Sequence, residues 1–547
     1  MRAPWRGMGF LDASGLALLL FLAGSSAYAE DALLAARRGT AAPAGNLPGE
    51  ATPGVMAMSP AHGVPFTEQV PEGPAEPRDG AAPAPSEAKP VPPDASGTAP
   101  GETDQIATPA LPPVNAALKA VLEARSDLPG PAALPHRSER EAIAAFYALR
   151  DFTPLWFRGG TAIAAVAPVI ERLKRAADDG LDVKGFPRAV SPATDEEIAA
   201  ADLALTDSVV TYGRQASGSR VDPRMISRLI GVEPEVADPA VILALVATAG
   251  EDAGEELRRF NPPQKAYEAL RDKLLQSRRG RGVAGRDAAI PSGPVLRPGI
   301  RTVAALSGGR SNLEAEILAN MERWRWMPRD MGETHIEVNI PDYEAVVIEK
   351  GEVIERNRVV VGKETSPTPV FSETMKFLIV NPAWNVPQSI IRKEMLPRLA
   401  ADPNYLYRLG YQVSSRAGHL VVRQPPGERN ALGRIKFVFP NDFSVYMHDT
   451  PLRKLFASAK RAFSHGCVRV DDPFRFAETV LGRNNGWSEQ RVKKMIGGKE
   501  RYIYLPKPLP VYLEYFTAFV NEAGELQLRD DVYGYSRRVK AALGLQG

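Results

Sequence analysis

Cysteine is nearly missing from this 547-residue chain: there is one, Cys467. A single thiol excludes an internal disulfide framework, and leaves Cys467 as either a buried small hydrophobe or a free reactive thiol. An excess of charge of one sign is missing too. Lys and Arg total 67 against 65 Asp and Glu, with no basic stripe, which argues against a nucleic-acid partner. No HExxH or Cys-x-x-Cys occurs, so nothing calls for a metal or other cofactor. Beyond the N-terminus no apolar run approaches the ~20 residues that span a bilayer.

What is present comes in blocks. The chain is too long for one ordinary core, and its 44% hydrophobic content suffices for two domains and more. Arg2 and Arg6, the apolar run Gly15 to Ala23, and Ala27-Tyr28-Ala29 are the three parts of a secretory signal peptide. Cleavage is expected after Ala29, giving a mature protein outside the cytoplasm. A retained anchor is the competing reading, but the apolar run is about half the length needed. Residues 30–113 read as a disordered linker: from about Ala41 to Pro113, Ala, Pro, Gly and Glu dominate without apolar periodicity.

Residues 114–275 turn helical. Ser138 and Glu141 suggest a capping box, and Ile163, Val166, Val169, Ile170 and Leu173 keep a 3.6-residue period up to Gly180. Residues 276–310, rich in Arg, Gly and Pro, read as a solvated connection. A second capping box at Ser311 and Glu314 opens a connecting helix within 311–332, with Leu313, Ile317, Met321 and Trp324 on one face and Trp324 and Trp326 as core anchors. From 333 to 506 the grammar is β: strands are expected at His335 to Ile340, Glu344 to Glu349, Val353 to Val361, Lys436 to Phe439 and Phe443 to Met447, with a hairpin turn at Lys350-Gly351. Ser389 to Leu399 reads as a helical interruption inside an insertion over about 387–434. Residues 507–547 are expected to pack on this domain as an extension.

Two segments concentrate the chemistry. Val445-Tyr446-Met447-His448-Asp449 and Ser464-His465-Gly466-Cys467-Val468-Arg469-Val470 hold the only thiol, two of six histidines and a carboxylate. Cysteine attacks a carbonyl as thiolate, and an imidazole that takes its proton is the commonest activator near neutral pH. Gly466 would let a carbonyl approach the backbone, and the amides of this turn are candidate oxyanion donors. Each signal alone is weak, since a lone cysteine is more often buried and a strand-end histidine more often structural.

Jointly they are specific. His448, fifteen residues, then Ser464-His465-Gly466-Cys467 resembles the signature of the L,D-transpeptidases, the YkuD-type catalytic domain. Asn381-Pro382-Ala383-Trp384-Asn385-Val386-Pro387, Leu432-Gly433-Arg434-Ile435-Lys436-Phe437 with Pro440-Asn441, and Asn320-Met321-Glu322-Arg323-Trp324-Arg325-Trp326 resemble its large periplasmic branch in Gram-negative bacteria. The resemblance implies a helical domain followed by a β-sandwich-like catalytic domain with a partly helical lid. It makes Cys467 the nucleophile and His448 the base, places Ser464, His465 and Gly466 in the nucleophile loop, and puts Asp449 where a carbonyl or side chain orients the base. Arg469, Tyr446, Trp384 and Arg434 become candidate substrate contacts, and Arg392, Lys393, Arg434 and Lys436 a charge that attracts carboxylate-rich stems. The small peptidoglycan-binding module common in that branch is expected to be absent or vestigial, because only about thirty residues, Gly282 to Asn312, stand in its place.

The implied reaction is transfer of a peptidoglycan stem peptide through a Cys467 thioester to the amine of a second stem, a 3→3 crosslink, in the periplasm and without metal or cofactor. Water as acceptor would make the chain a carboxypeptidase, and an outer-membrane protein's amine an anchoring enzyme. Sortases fit worse, because their typical Thr-x-x-Cys is absent. Cysteine endopeptidases of the cell wall place histidine after cysteine, and none follows Cys467. The non-enzymatic reading is a peptidoglycan-binding scaffold with a decayed site.

Overall fold

The computed structural model describes residues 111–126, 137–187, 192–279 and 310–545, apart from 417, 483 and 484. The expected signal peptide, nearly all of the linker and most of the 276–310 connection lie outside these residues. The described residues within 113–148 and from 152 onward fall in one compact unit. Among the described residues no helix is long and apolar enough to cross a membrane.

The first half is helical. Helices α1 (Pro113–Ser126), α2 (Arg137–Ala148) and α3 (Asp195–Ala216) surround a core that includes Leu118, Tyr147, Trp156, Val169 and Val209. The expected helix starts differ from those observed. Ser138 lies inside α2, and Ser311 and Glu314 lie inside the helix that starts at Arg310. Glu314 pairs instead with Arg278 at 2.6 Å. Thr194 and Glu197 form a capping box at the start of α3, where each side chain satisfies a backbone N–H that the first turn leaves free.

Helices α4 (Lys265–Arg279) and α5 (Arg310–Trp324) carry the chain into the second half. The Asn320 to Trp326 motif works here as a buried joint. The Arg325 guanidinium donates to the Asp179 carbonyl (2.6 Å) and the Tyr267 hydroxyl (3.0 Å) in the helical part. Asn320 donates to Thr517 near the C-terminus (3.0 Å), and Trp324 stacks on Phe516 at 4.5 Å. Trp324 and Trp326 are buried, as their spacing predicts.

The second half is a nine-stranded sheet made of β1 (Thr334–Asn339), β2 (Glu344–Glu349), β3 (Glu352–Gly362), β4 (Phe371–Val380), β5 (Ile435–Val438), β6 (Met447–His448), β7 (Ala462–Ser464), β8 (Val468–Val470) and β9 (Arg501–Glu514). Their order is β7-β3-β8-β6-β5-β4-β9-β1-β2, and a further β2–β3 pairing closes the ring. The expected sandwich is therefore a sheet wrapped on itself, with the short strand β7 paired on one side. Alternation sorts the side chains: Leu378, Val380, Ile435, Phe437, Met447, Val468 and Val470 fill the interior. Strand β9 runs across position 506, so the C-terminal segment supplies a central strand as well as an outer layer.

The strand expected from Phe443 begins only at Met447. Asn441 explains this, since its side chain binds both the carbonyl (2.7 Å) and the N–H (3.1 Å) of Val445 and takes the backbone out of the ladder. Between Pro387 and Arg434 one helix spans residues 388–401. It widens into a π-turn at Ile391–Met395 just before Pro397, which has no N–H to offer the Lys393 carbonyl. The strand pair Gln412–Arg416 and His419–Gln424 joins Trp384–Asn385 in a small sheet over its own core of Val386, Ile391, Met395, Leu406 and Val422.

Candidate active site

Strand register assembles the site. β6 and β8 run parallel with His448 opposite Arg469, and β5 pairs antiparallel to β6 with Lys436 opposite His448. Because Met447 and Val468 point inward, Tyr446, His448, Cys467 and Arg469 share the outer face. Cys467 is half-buried beside Tyr446, and His448 is buried.

His448 donates Nδ1–H to the carbonyl of Asp449. A carbonyl can only accept, so Nδ1 carries the proton and Nε2 is left as the basic atom. Burial is the main force holding the imidazole neutral, followed by the Arg469 cation, while the Asp449 carbonyl opposes. Lys436 adds to the depression, the Leu432 carbonyl resists it, and the His448 pKa falls to about 3. Burial also pushes the Cys467 thiol up, against the pull of the Tyr446 N–H, the Lys436 cation, the Tyr446 hydroxyl and the Arg469 cation. At rest the thiol and the imidazole are thus both neutral.

Tyr446 holds more than a packing position. Burial keeps its hydroxyl a phenol, the Cys467 sulfur acts in the same direction, and Trp384 acts against them. The Tyr446 ring meets His448 edge-on at 5.7 Å, with the Lys436 ammonium 4.2 Å from its centroid. Trp384 packs on the core of the insertion, so the insertion reaches the thiol through Trp384 and Tyr446. Arg469 has a buried Nε without a hydrogen-bond partner and no carboxylate within ion-pair reach among the described residues. Burial lowers its pKa, with the nearby sulfur acting the other way.

Asp449 orients the base through its carbonyl, not its carboxylate. The carboxylate accepts the N–H groups of Arg434 (2.8 Å) and Thr450 (2.6 Å) and a bond from Arg453 (2.6 Å). It sits so close to Gly433, at φ +64°, that a Cβ there would lie 2.3 Å from Asp449 Cγ. Arg434 serves this turn with its backbone and points its guanidinium at Glu428 (3.0 Å), away from the thiol's other contacts.

In the nucleophile loop Ser464 donates Oγ–H to the Cys467 carbonyl and accepts the Gly466 N–H at 3.1 Å. That bond removes Gly466 from the expected set of oxyanion donors. Among the described residues the Cys467 N–H meets no acceptor. His465 turns away to Glu394 of the insertion helix, at 2.6 Å, and so fastens loop to insertion.

Residues 333–497 match the YkuD family, described as the L,D-transpeptidase catalytic domain, and residues 141–274 match a family described as a Scaffold domain. Residues 333–497 are thus similar to L,D-transpeptidase catalytic domains. A protein of Haemophilus influenzae named "Putative L,D-transpeptidase" is 34% identical over 252 residues, 42% of this chain and 50% of that protein, so the match spans half of the relative's length. Among solved structures, an L,D-transpeptidase from Mycobacterium smegmatis is similar over 33% of this chain and 58% of its own, with 15% identity and a TM-score of 0.17. A mutant L,D-transpeptidase of Enterococcus faecium is similar over 45% and 82%, with 14% identity and a TM-score of 0.17.

Three contributors to the candidate site escaped the sequence reading. The Leu432 carbonyl, Glu394 and Thr368, which donates to the Gly466 carbonyl at 2.8 Å, lie far from both motifs in sequence. Of these, Leu432 alone lies in a segment that the resemblance singled out, Leu432-Gly433-Arg434.

Proposed function

We propose that this chain is a periplasmic peptidoglycan L,D-transpeptidase in which Cys467 attacks a stem tetrapeptide, releases D-alanine and passes the resulting thioester to the amine of a second stem. The observation that carries this is that Cys467 shares one face of the sheet with His448, Tyr446 and Arg469, whose guanidinium has no ion-pair partner among the described residues.

The electrostatics suggest how a neutral pair becomes reactive. A desolvated guanidinium without a fixed anion suits a carboxylate ligand, and the donor stem ends in the carboxylate of its terminal D-alanine. Seating that carboxylate on Arg469 offsets the cation that depresses His448, so Nε2 becomes a better base when substrate is present. Cys467 then loses its proton to His448 as sulfur attacks the carbonyl of the diamino acid. The Cys467 N–H receives the developing oxyanion. Collapse of the tetrahedral adduct breaks the bond to D-alanine, whose amine takes the proton from His448, and leaves a thioester. The incoming amine repeats the sequence, with His448 again taking a proton and the thiol departing.

Intact-protein mass spectrometry after incubation with a disaccharide tetrapeptide tests this. The expected result is an adduct equal to the donor less D-alanine on the wild-type chain, and none on Cys467→Ala. Release of crosslinked dimer or of trimmed stem then identifies the acceptor as amine or water. If no adduct and no product form while sacculi still bind, the chain is a scaffold.

A further inference from the structure

Tyr533 lies beyond the residues that match the catalytic family, yet its hydroxyl is two hydrogen bonds from the nucleophile loop. The phenol donates to the Gly362 carbonyl at 2.6 Å and accepts the Thr368 N–H at 3.2 Å. Thr368 is fully buried. Its hydroxyl accepts the Gly362 N–H at 2.8 Å and donates to the Gly466 carbonyl at 2.8 Å. Four hydrogen bonds thus join the C-terminal segment, the end of β3 and the loop that carries the nucleophile.

The bond to the Gly466 carbonyl has a geometric consequence. A peptide unit is planar and trans, so a carbonyl held in one direction sends the N–H of the next residue in the opposite one. The next residue is Cys467. Gly466 sits at φ +114°, in a region open to glycine, where its peptide plane has little intrinsic reason to stay in one orientation. Thr368 supplies that reason for the carbonyl. Tyr533, in turn, holds Thr368 through its backbone N–H. The phenol is aimed from behind, because the Tyr533 N–H donates to the Tyr515 hydroxyl at 2.8 Å, which donates to Asp531 at 2.8 Å, and its ring lies 5.7 Å from Tyr515 and 5.6 Å from Tyr535.

We propose that Tyr533 is a positioning residue for acyl transfer: through Thr368 it locks the Gly466–Cys467 peptide plane and keeps the Cys467 N–H presented to the oxyanion. The proposal rests on the reading of Cys467 as an acyl-transfer nucleophile. It separates two reactions of the same sulfur. Attack on a stem peptide develops an oxyanion and needs the N–H in place, whereas alkylation by iodoacetamide develops none.

The test measures both on the full chain. Tyr533→Phe removes one hydroxyl and keeps the ring among its neighbours. D-alanine release from a disaccharide tetrapeptide should lose about tenfold or more in kcat at nearly constant KM, a fraction of the ~10²–10³ lost when an oxyanion donor is deleted outright. The iodoacetamide rate at Cys467, the sole thiol, and its pH midpoint should stay as in wild type. Thr368→Val should show the same split, Thr368→Ser should restore most of kcat, and adding Tyr533→Phe to Thr368→Val should cost little more. If Tyr533→Phe releases D-alanine as fast as wild type, or loses alkylation in parallel with kcat, the proposal is overturned and Tyr533 only staples the C-terminus. If wild type alkylates but releases no D-alanine, the acyl-transfer reading falls and takes the proposal with it.

Discussion

His448 and Arg469 face each other across the parallel strands β6 and β8, so that the proposed base has a cation as its sheet neighbour. Lys436 occupies the same position on the other side, opposite His448 on β5. A buried imidazole between two cations stays neutral, and its pKa of about 3 reflects that. Replacing Arg469 by Gln removes the larger of the two charge effects. The His448 pKa should rise toward its ordinary value near 6.5, which an NMR titration of its ring resonances would follow. If Arg469 also seats the donor carboxylate, the KM for the tetrapeptide should increase about tenfold, in line with the ~1.5–3 kcal/mol of a hydrogen bond to a charged group. An unchanged KM would leave Arg469 with the electrostatic role alone.

Tyr446 pulls the thiol pKa down through its N–H and its hydroxyl, against the burial that raises it. Donors to sulfur favour the thiolate, so their loss pushes the thiol up. Tyr446→Phe removes the hydroxyl and leaves the ring over His448. The pH midpoint for iodoacetamide modification of Cys467 should therefore move upward by about one unit, since one pH unit corresponds to ~1.4 kcal/mol. Because Trp384 lowers the pKa of that hydroxyl and so strengthens it as a donor, Trp384→Phe should give a smaller shift in the same direction. A midpoint that stays in place in both variants would deny Tyr446 its contact with the sulfur.

The two motifs were legible because their residues are rare: one thiol, few histidines, and a glycine beside the thiol. What surrounds them was not. That Tyr446 reaches the sulfur depends on parallel register between strands of two and three residues, which no alternation pattern announces. Asp449 could orient the base by carbonyl or carboxylate, and the choice is made by Gly433 and Arg453, which claim the carboxylate for the turn below. Helix starts were misplaced at Ser138 and Ser311 because a Ser-x-x-Glu spacing fits the inside of a charged helix as well as its end. Residue Phe443 looked like strand because its apolar neighbours outweighed Asn441, whose side chain decides the backbone. Tyr533 and Thr368 carried no signal at all, since their meaning arises only where β3 and the C-terminal segment meet.

Gly433 and Asp449 make a steric pair that stability measurements can read. At φ +64°, with a Cβ position 2.3 Å from Asp449 Cγ, alanine at 433 meets both an unfavourable backbone region and a clash. Gly433→Ala should lose about 3 kcal/mol in urea unfolding. Asp449→Ala alone should lose about 2 kcal/mol, because the N–H groups of Arg434 and Thr450 are left without their acceptor. Combined, the two should lose clearly less than the sum, since the second change removes the atoms that the first one strikes. Strict additivity would place the strain of Gly433→Ala elsewhere.

The depressed pKa of His448 also fixes how folding depends on pH. In the unfolded chain this imidazole titrates near 6.5, and in the folded protein near 3. Between those values the unfolded state holds one more proton at this position than the folded state, so stability rises with pH by up to about 1.4 kcal/mol per unit. The contribution is complete above pH 6.5 and fades as acid is added down to about pH 3. His448→Gln has no proton to gain. Urea unfolding at pH 7.0, 6.0 and 5.0 should therefore show wild type losing stability faster than His448→Gln, with the gap between the two curves closing or reversing as pH falls. Parallel curves would mean that His448 takes up its proton in the folded protein as readily as in the unfolded one, and that the cations beside it are screened before they can act.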